Sequence, residues 1–249
     1  MSKWLLCATL GLVSACGMTQ LGETTPERLA DRAADAGDFQ TAAALYNQAY
    51  TSNPRSSEAL VGLGRSYAGL GQYSRAEETL LKAKAQRPRD PEILLDLGRT
   101  QLAAGKTAAA LENLDAAYAL RPRSLPIITA RGVALDKMSR HAEAQALYRV
   151  GLDSDPTDFA LLSNLGLSYG LSGQSDEGIR ILRELIRDPA ASPKTRGNLA
   201  LVYGLAGRDR DARATLAPDL NSQQISSNLA YYRQLRMLLL EGQPIGNLQ

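Results

Sequence analysis

Leu60-Val61-Gly62-Leu63-Gly64-Arg65-Ser66-Tyr67 places Leu60, Leu63 and Tyr67 at steps of three and four, which is the spacing of one helical face. The glycine inside that face, Gly64, leaves room for a neighbouring helix to approach closely, where a larger side chain would force the backbones apart. Five residues further on, Gly69-Leu70-Gly71-Gln72-Tyr73 supplies a helix stop, because Gly71 accepts a left-handed conformation. A second helix then runs from about Tyr73 and ends before Pro88, which cannot continue the hydrogen-bond ladder. The stretch therefore reads as helix, turn, helix.

The same signals recur at 34 residues: Pro54, Pro88, Pro122 and Pro156; Gly64, Gly98, Gly132 and Gly166; Gly37, Gly71, Gly105, Gly173 and Gly207; Ala42, Ala76, Ala110, Ala144 and Ala212. A 34-residue period with Leu-Gly, Tyr, Ala and Pro at these offsets resembles the tetratricopeptide repeat. That resemblance implies an all-α fold: a right-handed superhelical solenoid of about six repeats with a C-terminal capping helix. In this phase the units are 23–56, 57–90, 91–124, 125–158, 159–192 and 193 to about 219. Repeat 4 departs from the pattern at Arg131 and Ser139 and is expected to alter the curvature; repeat 5 has Gly178 where Ala is expected, and repeat 6 loses the pattern after Leu216. Residues 220–249 form the last segment. Ile225, Leu229, Tyr232, Leu235 and Leu239 give it an amphipathic helix with Ser222 or Ser226 as N-cap and Arg233 and Arg236 on a solvated outer face. A frayed tail is expected from Gln243 to Gln249.

Composition agrees with a fold built from small residues. Of 249 residues 44% are hydrophobic but only 5% aromatic, with one Trp, two Phe and four Met, too few for one large core. The 28 basic and 26 acidic residues leave a net charge of +2, which excludes a polybasic nucleic-acid tail and a disordered polyelectrolyte. The one apolar run, Trp4 to Val13, falls short of the roughly 20 residues that span a bilayer.

That run reads instead as the core of an export leader, residues 1–15, with Lys3 as its positive end and Val13-Ser14-Ala15 as small residues before a cleavage point. Val13-Ser14-Ala15-Cys16 resembles the lipobox of bacterial lipoproteins, a reading weighed against an ordinary signal peptide with an incidental cysteine. The resemblance implies diacylglycerol and an N-acyl chain on Cys16 and a short lipidated tether over 16–22. Cys7 leaves with the leader, so no disulfide remains, and acylation would block the one thiol left. Two or more acyl chains give stable anchoring. Gly17, where enterobacterial sorting rules react to Asp, implies the periplasmic face of the outer membrane. The six residues from Gly17 to Gly22 reach at most about 20 Å, so the solenoid is expected close to that membrane.

Catalytic chemistry is sparse. With a single His, His141, beside Arg140, and no cysteine beyond Cys16, neither a Cys/His metal site nor a nucleophile–base pair is expected; His141 reads as solvated, and carboxylates such as Glu77 and Glu78 as helix solvation. The glycines follow the repeat and not the strand-turn-helix context of a phosphate loop. No catalytic residue, metal, cofactor, nucleic acid or small-molecule substrate is therefore expected.

By resemblance to other tetratricopeptide proteins, the concave groove lined by the first helix of each repeat binds protein segments. Its expected lining is Val61, Arg65, Leu95, Arg99 and Leu102 in the first half, and Leu167, Leu171, Leu201 and Leu205 in a markedly apolar second half. Such leucines imply either an apolar helical ligand or the C-terminal helix folded back over them. Where chaperone adaptors carry a carboxylate-gripping Asn, this chain has Arg65, Arg99, Val133, Leu167 and Leu201, which disfavours that mode; Asn164 and Asn198 read as structural hydrogen-bonding positions.

The final repeat, Asn198-Leu199-Ala200-Leu201-Val202-Tyr203-Gly204-Leu205-Ala206-Gly207-Arg208, is followed by Asp219-Leu220 and by Ser227-Asn228-Leu229-Ala230-Tyr231-Tyr232. A lipobox, these repeats and this tail resemble the TadD-like lipoproteins of the tight-adherence (Tad/Flp) pilus system. The resemblance implies a pilotin-like scaffold, with an outer-membrane secretin or another pilus assembly component as protein partner and the lipid anchor as membrane contact. The alternative is a lipoprotein cofactor of a peptidoglycan enzyme, or a pilotin of another pilus or secretion system.

Overall fold

The computed structural model describes residues 25–189, 191–243 and 245. The leader 1–15, Cys16 and the tether 16–22 lie outside these residues. The described chain is all-α and contains no strand. Its helices pair in chain order: α1 (Pro26–Asp35) with α2 (Phe39–Ser52), α3 (Ser57–Gly69) with α4 (Tyr73–Gln86), α5 (Pro91–Ala103) with α6 (Thr107–Leu120), α7 (Leu125–Lys137) with α8 (His141–Ser154), α9 (Phe159–Leu171) with α10 (Ser175–Leu185), and α11 (Pro193–Leu205) with α12 (Asp209–Leu216). The last helix, α13 (Ser222–Leu240), packs on α11 and α12 and caps the stack.

Two devices at the helix ends produce this repetition. The first helix of each pair except α7 starts on a side-chain cap, as where Ser56, Asp90, Asp158 and Ser192 accept hydrogen bonds from the amides of Ala59, Ile93, Leu161 and Thr195. It ends in a backbone motif with a left-handed residue, as where the Gly71 amide donates to the Ala68 carbonyl and the Gln72 amide to the Tyr67 carbonyl. The second helices α4, α6, α8, α10 and α12 grow directly from that turn, and their N-caps Gln72, Lys106, Arg140, Gln174 and Arg208 make no side-chain cap, whereas Asp38 caps α2 by accepting from the Thr41 amide.

Apolar residues bury in a series of clusters, each shared by neighbouring pairs, and not in one centre. Glycines admit the large side chains of the second helices: a β-carbon on Gly64 or Gly98 would lie 2.6 or 2.5 Å from Leu80 or Leu114. The residue that requires Gly64 is thus Leu80, with the Ala76 carbonyl farther off at 3.5 Å.

The departures in repeat 4 are absorbed locally. Ser139 takes the left-handed conformation, φ 59°, that glycine holds at the other turns. Arg131 donates to Asp115 at 2.6 Å and lies over the Tyr118 ring. In α13 the cap is Asn221, in a capping box with Gln224, and not Ser222 or Ser226, because Asn221 Oδ1 reaches two amides at 3.0 Å. Arg233 and Arg236 are not merely solvated: both turn to Asp209, at 2.7 and 3.6 Å. Within the expected frayed tail Ile245 is 3% exposed, while residues 244 and 246–249 lie outside the described residues.

Candidate functional site

A buried polar cluster centres on Asp136. Ser168 Oγ donates to Asp136 Oδ1 at 2.6 Å, His141 Nδ1 lies 2.8 Å from the same oxygen, and Tyr148 Oη donates to Oδ2 at 3.0 Å. This corrects the expectation for His141, whose side chain is only 12% exposed, because α8 starts where its first residue must lie against the end of α7. The cluster is not a nucleophilic relay. The buried serine bonds the carboxylate and not the imidazole, and Ser168 is fully covered. Burial, followed by the Asp136 charge, pushes the Tyr148 phenol far up, so it acts as a permanent donor. These four residues tie repeat 4 to repeat 5. Among the described residues no group of His, Cys, Asp and Glu is arranged to hold a metal, and no helix is long and apolar enough to cross a membrane.

A concave cleft of 450 Å³ crosses the middle of the solenoid. It runs obliquely. Arg99 and Leu102 come from the second half of α5, Thr129, Ala130 and Val133 from the middle of α7, Phe159, Ala160, Ser163 and Asn164 from the first half of α9, and Ser192, Lys194 and Thr195 from the start of α11. Each successive helix contributes earlier residues, as expected where a straight path crosses helices that rotate against one another along a superhelix. Leu102, Ala130, Val133 and Phe159 give an apolar floor, with Arg99 and Lys194 on opposite flanks.

The charges of the cleft are unbalanced. Asp96, the carboxylate whose charge interacts with Arg99, is held by Arg65 Nε at 2.6 Å. It is largely buried, and that burial pushes its carboxyl up against the opposing pull of Arg65. Glu92 is paired with Arg121 at 2.7 Å, and Asp219 with Arg196 at 2.6 Å. Neither Arg99 nor Lys194 has an ion-pair partner among the described residues.

Of the expected groove residues, the structure places Arg99 and Leu102 in the cleft and turns Arg65 toward Asp96. Val61 and Leu95 are corrected: both are buried in core clusters between neighbouring helices. Leu171 and Leu205 are corrected as well. Each is 5% exposed, in a cluster with Leu235 and Ile245, while Leu167, Leu201 and Leu239 are partly buried around it. Of the two explanations for these leucines, the chain's own C-terminal segment is the one in place. Asn198 donates to Ser163 Oγ at 3.1 Å, as a structural position does, whereas Asn164 lines the cleft. The contributions of α9 and α11 are not legible from a fixed set of repeat positions, because the drift toward earlier residues along the stack is not written in any single repeat.

Two tetratricopeptide-repeat family models match residues 33–99 and 95–159, together just over half of the chain. No curated protein matches the sequence. A thermophilic tetratricopeptide-repeat protein of Thermus thermophilus is similar at 26% identity and TM-score 0.62, over 72% of this chain and 100% of that one. A tetratricopeptide-repeat protein from Parabacteroides merdae aligns at 14% identity and TM-score 0.69, over 85% and 83%. YrrB, described as having an unusual peptide-binding site, aligns at 19% identity and TM-score 0.54, over 66% and 86%.

Proposed function

Because the chain belongs to the tetratricopeptide-repeat family, whose repeats mediate protein–protein contacts, we propose that it is a lipid-anchored scaffold that receives an extended, acidic segment of a partner protein in the cleft between α5 and α11. The observation that carries this reading is the pair of cations without an ion-pair partner among the described residues, Arg99 and Lys194, flanking an apolar floor that carries no carboxylate. Two acidic side chains on either side of an apolar residue complement that arrangement, and the amide of Asn164 adds a neutral hydrogen-bonding group between them. No step of this function is chemical. The scaffold holds a partner and does not convert it.

The cellular setting rests on the sequence. Val13-Ser14-Ala15-Cys16 supports acylation at Cys16 and attachment to the periplasmic face of the outer membrane. The Ser227-Asn228-Leu229-Ala230-Tyr231-Tyr232 segment after the last repeat supports membership of the tight-adherence pilus system, with the secretin as the partner and its localisation or multimerisation as the outcome. The experiment is replacement of Cys16 by Ser in the native host. The scaffold should leave the membrane fraction and secretin multimers should fall; unchanged multimers in a strain whose scaffold has become soluble would refute the role.

A further inference from the structure

The apolar end of the concave face has a chemistry that the repeat does not require. At the two positions that become Leu167 and Leu171 in α9, and Leu201 and Leu205 in α11, earlier repeats carry Arg65 and Gly69, Arg99 and Ala103, and Val133 and Lys137. The stripe is therefore particular to the last units. After α13 the chain reverses at Gly242, φ 70°, with the Gln243 amide donating to the Leu238 carbonyl, the same turn that elsewhere launches the second helix of a pair. Here it delivers Ile245 onto Leu171, Leu205 and Leu235, where it is 3% exposed. The residues at the corresponding place after the other turns, Gln40, Ser74, Ala108, Ala142, Asp176 and Arg210, are all exposed. Ile245 thus does not follow the repeat; it occupies a site.

We infer that the apolar end of the concave face is a docking socket for one aliphatic side chain of an extended segment, and that the chain's own Ile245 holds it closed in cis. The socket is continuous with the cleft. Asn164, Leu167 and Leu171 follow one another along α9, so the cleft and the socket are about 10 Å apart along that helix. A segment that fills the cleft and continues along α9 meets Ile245 and displaces it only if it brings an aliphatic side chain of its own. That last step rests on the partner-docking reading; the socket and its cis occupant do not.

The test uses the full chain carrying Ile245→Asp and, as probe, a synthetic peptide of residues 241–249, with the leucine methyl resonances followed by NMR. The peptide should shift the methyls of Leu171, Leu205 and Leu235 in the variant, and should bind the unaltered chain at least tenfold more weakly, because Ile245 is already seated there. A peptide with Ile245→Ala should lose about tenfold in affinity for the variant. The inference is overturned by a variant of native helicity whose methyls do not respond, or by equal binding to the unaltered chain. Should Ile245→Asp unfold α13, the Ile245→Ala chain takes its place, with the same shifts expected and the same two results overturning the inference. None of these outcomes involves the secretin, so a failed socket and a failed pilus role are separately visible.

Discussion

The backbone of Gly178 in α10 lies so close to the carbonyl of Gly166 in α9 that a β-carbon on Gly178 would stand 2.5 Å from that oxygen. At the equivalent place the other repeats have Ala42, Ala76, Ala110, Ala144 and Ala212, each fully buried. Gly178 is therefore not a degenerate alanine; the helices of repeat 5 have closed onto the missing methyl group. Restoring the repeat pattern with Gly178→Ala should destabilise the protein by about 1–3 kcal/mol, since the obstacle is backbone and cannot rotate away. Thermal unfolding would register this as a Tm several degrees lower. A neutral or raised Tm would mean that α9 and α10 can separate freely.

Ser139→Gly should act in the opposite direction. Ser139 holds φ 59° at a turn where five other units have glycine at φ between 71° and 82°. Removing the side chain relieves about 1–2 kcal/mol of left-handed strain, against about 0.5–1 kcal/mol of added chain entropy. Denaturant unfolding should show a net gain of about 0.5–1 kcal/mol.

Replacing Asp136 by Ala should leave Tyr148 Oη and Ser168 Oγ without their buried acceptor. A loss of about 2–4 kcal/mol is expected from two buried hydroxyls stranded in this way. Amide exchange should then rise first in α8 and α9, which the carboxylate joins. Uniform exchange across the chain would contradict the local role given to this cluster.

Acid should act through Glu77. Lys106 at 2.6 Å and Gln101 at 2.9 Å hold its carboxyl below the usual glutamate range. A carboxyl lowered in the folded state stabilises above its unfolded pKa, and that contribution disappears as pH falls through the folded value. The Tm difference between the unaltered chain and Glu77→Gln should therefore be complete above about pH 5 and vanish at lower pH. Its size should not exceed about 1 kcal/mol, because Lys106 is well exposed and solvent screens the pair.

Much of this molecule is legible in its sequence, and the parts that are not share a cause. The helix pairs follow from Gly71, Pro88 and their repeats because those residues act locally, on their own turns and helix ends. Burial of Val61 and Leu95 is not legible in the same way, since a groove-facing position becomes a core position when the next helix leans over it. The oblique course of the cleft through Asn164 and Lys194 depends on rotation accumulated over several repeats. Ile245 is least legible of all: Gln243 to Gln249 has no helical period, and only the leucines of α9, α11 and α13 together give that residue a place.

Neutralising both flanks of the cleft, Arg99→Gln with Lys194→Gln, should leave Tm nearly unchanged, because neither cation has an ion-pair partner among the described residues, while weakening partner binding by tenfold or more. The most direct measurement of partner capture in the cleft is site-specific photocrosslinking in the native host, with the crosslinker at Val133 on the floor of the cleft and, for comparison, at Leu81, which is 47% exposed on α4 and outside the cleft. An adduct with the secretin is expected from Val133 and none from Leu81. An absent adduct at Val133, or equal adducts from the two positions, would contradict capture at this site.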